Sequence, residues 1–349
     1  GGCVITLDPE QGDFAELFRC FFASPHTMID QKVIKDAFFT GSGKASISMI
    51  LSFLANQGLA ERKSSSIITP KWLGFNVYNT INEFFHPVHL HDKDSKLYLS
   101  YHQYGFPQNM EKVVEYCKDK DLILIEDCAH ALGGTYKGKD LGSFGDFSIY
   151  SFSKFFYCHS LGGVRCNNNI FLDKFQEYYD KRVDESSSAL AVFINFQKFI
   201  MSYAQNKDAI YLRHKASLLG KMLYGVYGDS ASYTKGATCL FQRKVHNEVS
   251  LRKKRYTELL HEFSNFSIFD HLERDGVVPY AIPLIADEVT NSKIAIALKS
   301  NGYESGVYHF DTNRFAIEPN YQKSVLIPFS KIEDDLEFER LIGILKIFL

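Results

Sequence analysis

The chain has 349 residues, 45% of them hydrophobic, and a formal net charge of -2. That is apolar material for a two-domain globular protein, and the near-neutral balance excludes the basic footprint of a nucleic-acid or anionic-membrane binder. No apolar run approaches the roughly 20 residues of a membrane span, and Gly1-Gly2-Cys3 opens no signal peptide. Its seven cysteines show no CxxC or zinc spacing, which predicts reduced thiols in a cytoplasmic protein.

In chain order, residues 1–40 read as helical and irregular. FFTGSGKASISMILSFLANQG then gives a short apolar run, a Gly/Ser turn and an amphipathic helix over Lys44–Asn56, stopped by Gly58. Ser66–Thr69 predicts a strand ended by Pro70. Val77–Phe85 predicts a helix, Pro87–Leu90 and Lys96–Tyr101 strands, Asn109–Lys118 a helix and Asp121–Ile125 a buried strand. Phe147–Phe152 and Gly163–Cys166 read as strands. Phe171–Tyr224 reads as helical, broken by the polar stretch Asp184–Ser188. Leu240–Asn265 predicts a long charged helix, and its run Lys253–Arg255 reads as a solvated face. Val277–Ile285, Lys293–Ser300, Val307–Phe310 and Leu336–Phe348 alternate strand and helix. This order predicts a three-layer α/β/α large domain with a mostly parallel sheet over residues 1–238. A smaller α+β domain is expected over residues 239–349.

The chemistry concentrates in Leu122–Gly163, where Asp127 ends one apolar strand and Lys154 follows the end of another. In open α/β sheets that edge binds ligands. A carboxylate for a pyridinium nitrogen and an amine for a Schiff base are what pyridoxal 5′-phosphate (PLP) chemistry needs. The competing readings are an aspartate that caps the next turn and a surface lysine. Phe152, Phe155, Phe156 and Tyr157 give Lys154 an apolar setting that favours the first. TGSGK at Thr40–Lys44 fails the nucleotide P-loop pattern, because Phe38 and Ala45 stand at its required glycine and Ser/Thr positions. The backbone N–H groups of Gly43, Lys44 and Ala45 at a helix start still suit a phosphate; an ordinary cap by Ser42 is the alternative. HPVHLH at His86–His91 lacks a third spaced ligand, so no metal site is expected. His102 is a candidate site-lining or structural histidine.

Together these pieces resemble the DegT/DnrJ/EryC1/StrS family of PLP-dependent sugar aminotransferases, of PLP fold type I in the aspartate aminotransferase superfamily. The resemblance runs from Phe38 to Gly163. It is carried by TGSGKASISMIL, ITPKWLGFNVYNTI, YHQYGFPQNMEKV and above all IEDCAHALGGTYKGKDLGSFGDFSIYSF. VYHFDT and VLIPFSKIEDDLEFERLI resemble the family's small domain more weakly. The resemblance implies that Asp127 pairs with the pyridine nitrogen and His130 contacts the ring near its phenolic oxygen. Ser151 joins the Gly43–Ala45 turn on the phosphate, and Lys154 is the Schiff-base lysine and proton carrier. The ring-stacking aromatic of the family aligns with Gly74, leaving Trp72 or Phe75 for that role. The lysine turn is short, with Lys154 three residues after Ser151 and Leu161 before Gly162-Gly163.

The implied activity is transfer of an amino group, with glutamate as donor, to a nucleotide-linked keto-sugar. The product would be an amino sugar for a surface polysaccharide, made by a homodimer. Two alternatives stay open. One is a PLP-dependent nucleotide-sugar dehydratase, in which a histidine such as His159 replaces the lysine. The other is a diverged, non-catalytic binding protein of the same fold.

Overall fold

The computed structural model describes residues 5–9, 34, 36–156, 161–183, 233, 235–330 and 332–349. His159 and the polar stretch Asp184–Ser188 lie outside these residues, as does the predicted helical run beyond residue 183.

A seven-stranded sheet forms the centre. Its strands are β1 (Phe38–Thr40), β2 (Ser66–Ile68), β3 (His86–Val88), β4 (Ser95–Tyr101), β5 (Ile123–Asp127), β8 (Phe147–Ser151) and β9 (Gly162–Cys166). A small hairpin, β6 (Thr135–Tyr136) and β7 (Lys139–Asp140), stands apart. The sheet order is β1-β9-β8-β5-β4-β2-β3. Pairs β2–β3, β2–β4, β4–β5 and β5–β8 are parallel, while β9 runs against both β1 and β8. This is the expected mostly parallel sheet. The carboxyl ends of β2, β4, β5 and β8 therefore meet along one edge.

Helix α1 (Gly43–Asn56) starts where Ser42 accepts the Ala45 N–H at 3.0 Å. Its Ile47, Ile50, Phe53 and Leu54 pack on Ile67, Leu97, Leu99, Ile125, Phe147 and Ile149, so one face of the sheet is dry. Helices α2 (Phe75–Phe84) and α4 (Asn169–Asp180) complete that layer through Ile81, Phe175 and Tyr178. On the other face, α3 (Met110–Asp119) packs Met110, Val113 and Cys117, and α5 (Lys235–Glu262) packs Leu240, Phe241 and Val245.

The small part holds β10 (Ala281–Leu284), α6 (Glu288–Ser300), β11 (Val307–Asp311), β12 (Tyr321–Pro328) and α7 (Asp335–Lys346), with an antiparallel sheet ordered β10-β12-β11. The boundary expected at residues 238/239 falls inside α5, a continuous helix. The N-terminal segment also joins the small part: Ile5 bridges Tyr303, and Leu7 N–H donates to Glu304 at 2.8 Å. The run Lys253–Arg255 is only partly a solvated face. Lys253 and Lys254 are exposed, but Arg255 is buried against the Ile332 carbonyl, Glu258 and Asp335. No described helix is long and apolar enough to cross a membrane. Cys117, Cys128, Cys166 and Cys239 are buried free thiols.

Candidate active site

A cavity of about 360 Å³ opens at the carboxyl edge of the sheet, within the size range of small-molecule sites. Gly43 and Lys44 from α1, Gly74 and Phe75 from α2, Tyr101, Asp127, His130, Ser151 and Lys154 all line it. Three strand ends and two helix starts thus bring together residues spread over 112 positions of sequence, from 43 to 154.

Strand β5 ends on two acids, and its alternation sends them to different tasks. Glu126 is fully buried and accepts four hydrogen bonds: His102 Nε2 at 3.0 Å, and the N–H groups of Gly142, Phe144 and Gly145 at 2.9, 2.7 and 2.9 Å. It anchors the loop before β8. His102 is spent on the same anchor. Its Nδ1 accepts the Gln108 N–H at 3.0 Å, which makes Nε2 the donor to Glu126. The structural reading of His102 holds. Glu126, His102 and Cys128 sit close enough to suggest a metal cluster, but these bonds already occupy both ring nitrogens.

Asp127 faces the cavity. Its Oδ1 accepts the Ala129 N–H at 3.0 Å, so it caps the next turn and lines the site at once. Burial pushes its carboxyl up to about 6, against smaller opposing effects of the Ala129 N–H, His102 and Lys154. A buried carboxylate in that state is poised for a cationic partner.

His130 is held on two sides. Tyr101 Oη and its Nδ1 lie 2.8 Å apart, and Tyr280 stacks on the ring with centroids 4.0 Å apart and planes 7° from parallel. Burial, aided by the Lys154 charge, holds the imidazole well below its ordinary range and therefore neutral. Burial also raises the Tyr101 phenol well above its ordinary value. Gly105 makes this arrangement possible. Its φ of +95° suits glycine, and a Cβ there would strike the carbonyl oxygens of Val278 and His130.

Lys154 Nζ lies 3.6 Å from Asp8 Oδ1 and 5.8 Å from the Tyr280 ring centroid. Tyr280 Oη donates to the same Asp8 oxygen at 2.7 Å. The loop carrying Lys154 is clamped by Arg252, fully buried in α5. Its guanidinium donates to Phe155 O at 3.1 Å, to Pro279 O at 3.0 Å and Tyr280 O at 3.1 Å, and to Glu248 at 2.7 Å.

The α1 start and the end of β8 form a cradle. A Cβ on Gly43 would lie 2.8 Å from Ser151 Cβ, closer than side chains tolerate. Glycine therefore lets the helix start approach Ser151. Two expectations need correction. Ala45 does not line the cavity, and its N–H is taken by Ser42 Oγ, so of the expected turn only Gly43 and Lys44 face the cavity. Trp72 is no ring stacker: it lies outside the cavity lining, stacked on His309 with centroids 4.1 Å apart and planes 3° from parallel. Phe75 does line the cavity, although 78% exposed.

Tyr101, Tyr280, Asp8 and Arg252 were not singled out from sequence. Tyr101 had a usable signal, since it ends a strand and pairs in register with Asp127. The other three reach the site from remote segments.

Residues 92–172 match the family model described as the DegT/DnrJ/EryC1/StrS aminotransferase family. This central block is similar to that family. Within it the chain is 50% identical over 58 residues to a GDP-perosamine synthase of Escherichia coli O157:H7, covering 17% of this chain and 16% of that protein. A GDP-perosamine synthase of Vibrio cholerae is 36% identical over 85 residues, covering 24% and 23%. The chain thus matches under a quarter of the length of these two relatives. At the level of fold the likeness spans the whole chain. Helicobacter pylori PseC, an aminotransferase involved in the biosynthesis of pseudoaminic acid, superposes with a TM-score of 0.65 at 14% identity, over 98% of this chain and 97% of that one. The architecture is that of PLP fold type I.

Proposed function

We propose that the chain is a PLP-dependent aminotransferase that moves an amino group from glutamate to a nucleotide-linked keto-sugar. The observation that carries this reading is one cavity holding a buried acid, a neutral histidine, an amine and a glycine-serine cradle. The fit to the cofactor is specific. Glycine at position 43 brings the start of α1 within reach of Ser151, where a Cβ would clash, and a helix start favours a phosphate there. Asp127, uneasy as an isolated buried anion, suits a protonated pyridine nitrogen.

PLP supplies a carbonyl carbon and an electron-withdrawing ring that stabilises a carbanion. The protein's residues do the rest. Gly43, Lys44 and Ser151 would hold the phosphate, Asp127 would keep the ring nitrogen protonated, and His130 would lie by the phenolic oxygen. Lys154 would carry the proton between the two carbons that exchange hydrogen, acting as base and then as acid.

Glutamate as donor and a symmetric homodimer follow from the family resemblance, as do a cytoplasmic setting and an amino sugar for a surface polysaccharide. The nucleotide-linked substrate is further supported by the names of the two relatives above. The test is a product assay with ¹⁵N-glutamate and a panel of nucleotide keto-sugars. Equal yields of 2-oxoglutarate and ¹⁵N-labelled amino sugar are expected. A sugar that emerges deoxygenated and without nitrogen would replace this reading with the dehydratase.

A further inference from the structure

Trp72 stands just past the carboxyl end of β2, and the next three residues, Leu73, Gly74 and Phe75, line the cavity. One face of its indole is covered by His309 in a nearly parallel stack. The residue is nevertheless 52% exposed, so much of the indole outside the His309 stack meets solvent. A tryptophan used only to seal a seam between domains would be buried on both faces.

The backbone that carries the backing ring is held in place. Buried Gln103 donates through Nε2 to the His309 carbonyl at 2.7 Å and accepts the Asp311 N–H at 3.3 Å. Between platform and cavity the chain carries no side chain at Gly74, where a Cβ would meet only Val77 Cγ2 at 4.0 Å. Lys71, exposed and adjacent to Trp72, adds a cation on the same stretch.

We propose that the exposed indole of Trp72 seats the nucleobase of a nucleoside diphosphate, so that the attached sugar enters the Lys154 cavity past Gly74. A solvent-exposed ring backed by His309, a neighbouring exposed lysine and a glycine next to the cavity match the base, the diphosphate and the sugar of such a ligand. This inference rests on the nucleotide-linked substrate proposed above and names its base-binding residue.

The chain contains a single tryptophan, so its emission reports on this ring alone. The full-length protein is titrated with GDP and UDP, and separately with inorganic pyrophosphate, exciting at the red edge of the indole band. Saturable quenching by the nucleotides and little by pyrophosphate is expected. Calorimetry on Trp72→Ala should show nucleotide affinity weakened about tenfold or more, the usual cost of losing a base-stacking aromatic, with Trp72→Phe recovering part of it. His309→Ala, which keeps the fluorophore, should weaken it less. Equal quenching by pyrophosphate, or undiminished affinity in Trp72→Ala, overturns the proposal. If PLP is captured by Lys154 yet no nucleotide binds, the platform falls and the cofactor reading stands. If nucleotides quench and PLP is not captured, the platform stands and the aminotransferase reading falls.

Discussion

The imidazole of His130 lies flat on the phenol of Tyr280, with ring centroids 4.0 Å apart. One ring follows β5 of the large sheet; the other immediately precedes β10 of the small one. The stack therefore joins the cavity wall to the segment that opens the small sheet. Tyr280→Phe should keep it and lose only the hydrogen bond to Asp8, costing about 1 kcal/mol. Tyr280→Ala should cost about 3 kcal/mol through the lost ring and the cavity left behind. Urea unfolding of the two variants checks the difference; equal midpoints would remove the stack from the account.

Arg252 is a buried cation satisfied by one carboxylate and three carbonyls, two from the Tyr280 segment and one from the Lys154 loop. Arg252→Met should leave Glu248 and those carbonyls without their donor and destabilise by about 3 kcal/mol or more. Amide exchange by mass spectrometry should show faster exchange in the peptides around Phe155 and Tyr280 than in α1. Uniform protection across the protein would deny the clamp.

Burial of Asp127 carries a stability cost in the cofactor-free protein. Its folded carboxyl titrates at about 6 against an ordinary 3.8, so the folded cofactor-free protein holds this proton more tightly than the unfolded chain. This makes stability fall as pH rises from about 4 to about 6, and the loss persists above. Asp127→Asn lacks that penalty while its amide oxygen can still accept the Ala129 N–H. At pH 7 the cofactor-free Asn variant should be more stable by on the order of 2 kcal/mol, a gain that vanishes below about pH 4. Turnover should drop about 100-fold or more. Thermal unfolding across pH, with no stability difference at pH 7, would contradict the burial argument.

Gly43→Ala would press a methyl group against Ser151, 2.8 Å away between Cβ atoms. The helix start must then retreat from the cradle, and PLP affinity should fall about tenfold, with a stability cost of about 1–3 kcal/mol. Equilibrium dialysis measures this; unchanged affinity would place the phosphate elsewhere.

Much of this was legible because local pattern and tertiary role agree. LILIED is an apolar run with acids at its end and becomes β5, with Asp127 in the cavity. SFSK after FSIY puts Lys154 beyond β8. Asp127 was singled out in sequence, but that its neighbour Glu126 anchors the loop before β8 became visible only in the pleat. The strand Tyr321–Pro328 was missed because it opens on the polar residues Tyr321-Gln322-Lys323 and ends in proline, yet its partners β10 and β11 complete it on both sides. Trp72 was misplaced because nothing local reveals that His309, more than 200 positions on, offers it a ring. Ala45 was overcounted because the cap and the phosphate compete for the same N–H, and Ser42 takes it. Asp8, Tyr280 and Arg252 are long-range contributions that no local spacing encodes.

The most direct test of the central claim is covalent capture of the cofactor. Purified protein is incubated with PLP, treated with borohydride, digested and mapped by mass spectrometry, with Lys154→Ala in parallel. A visible absorbance band should form on adding PLP, and the reduced adduct should sit on Lys154 and be absent from the Ala variant. A protein that takes up no PLP, or carries it on Lys44 or another lysine equally in both proteins, would contradict the account.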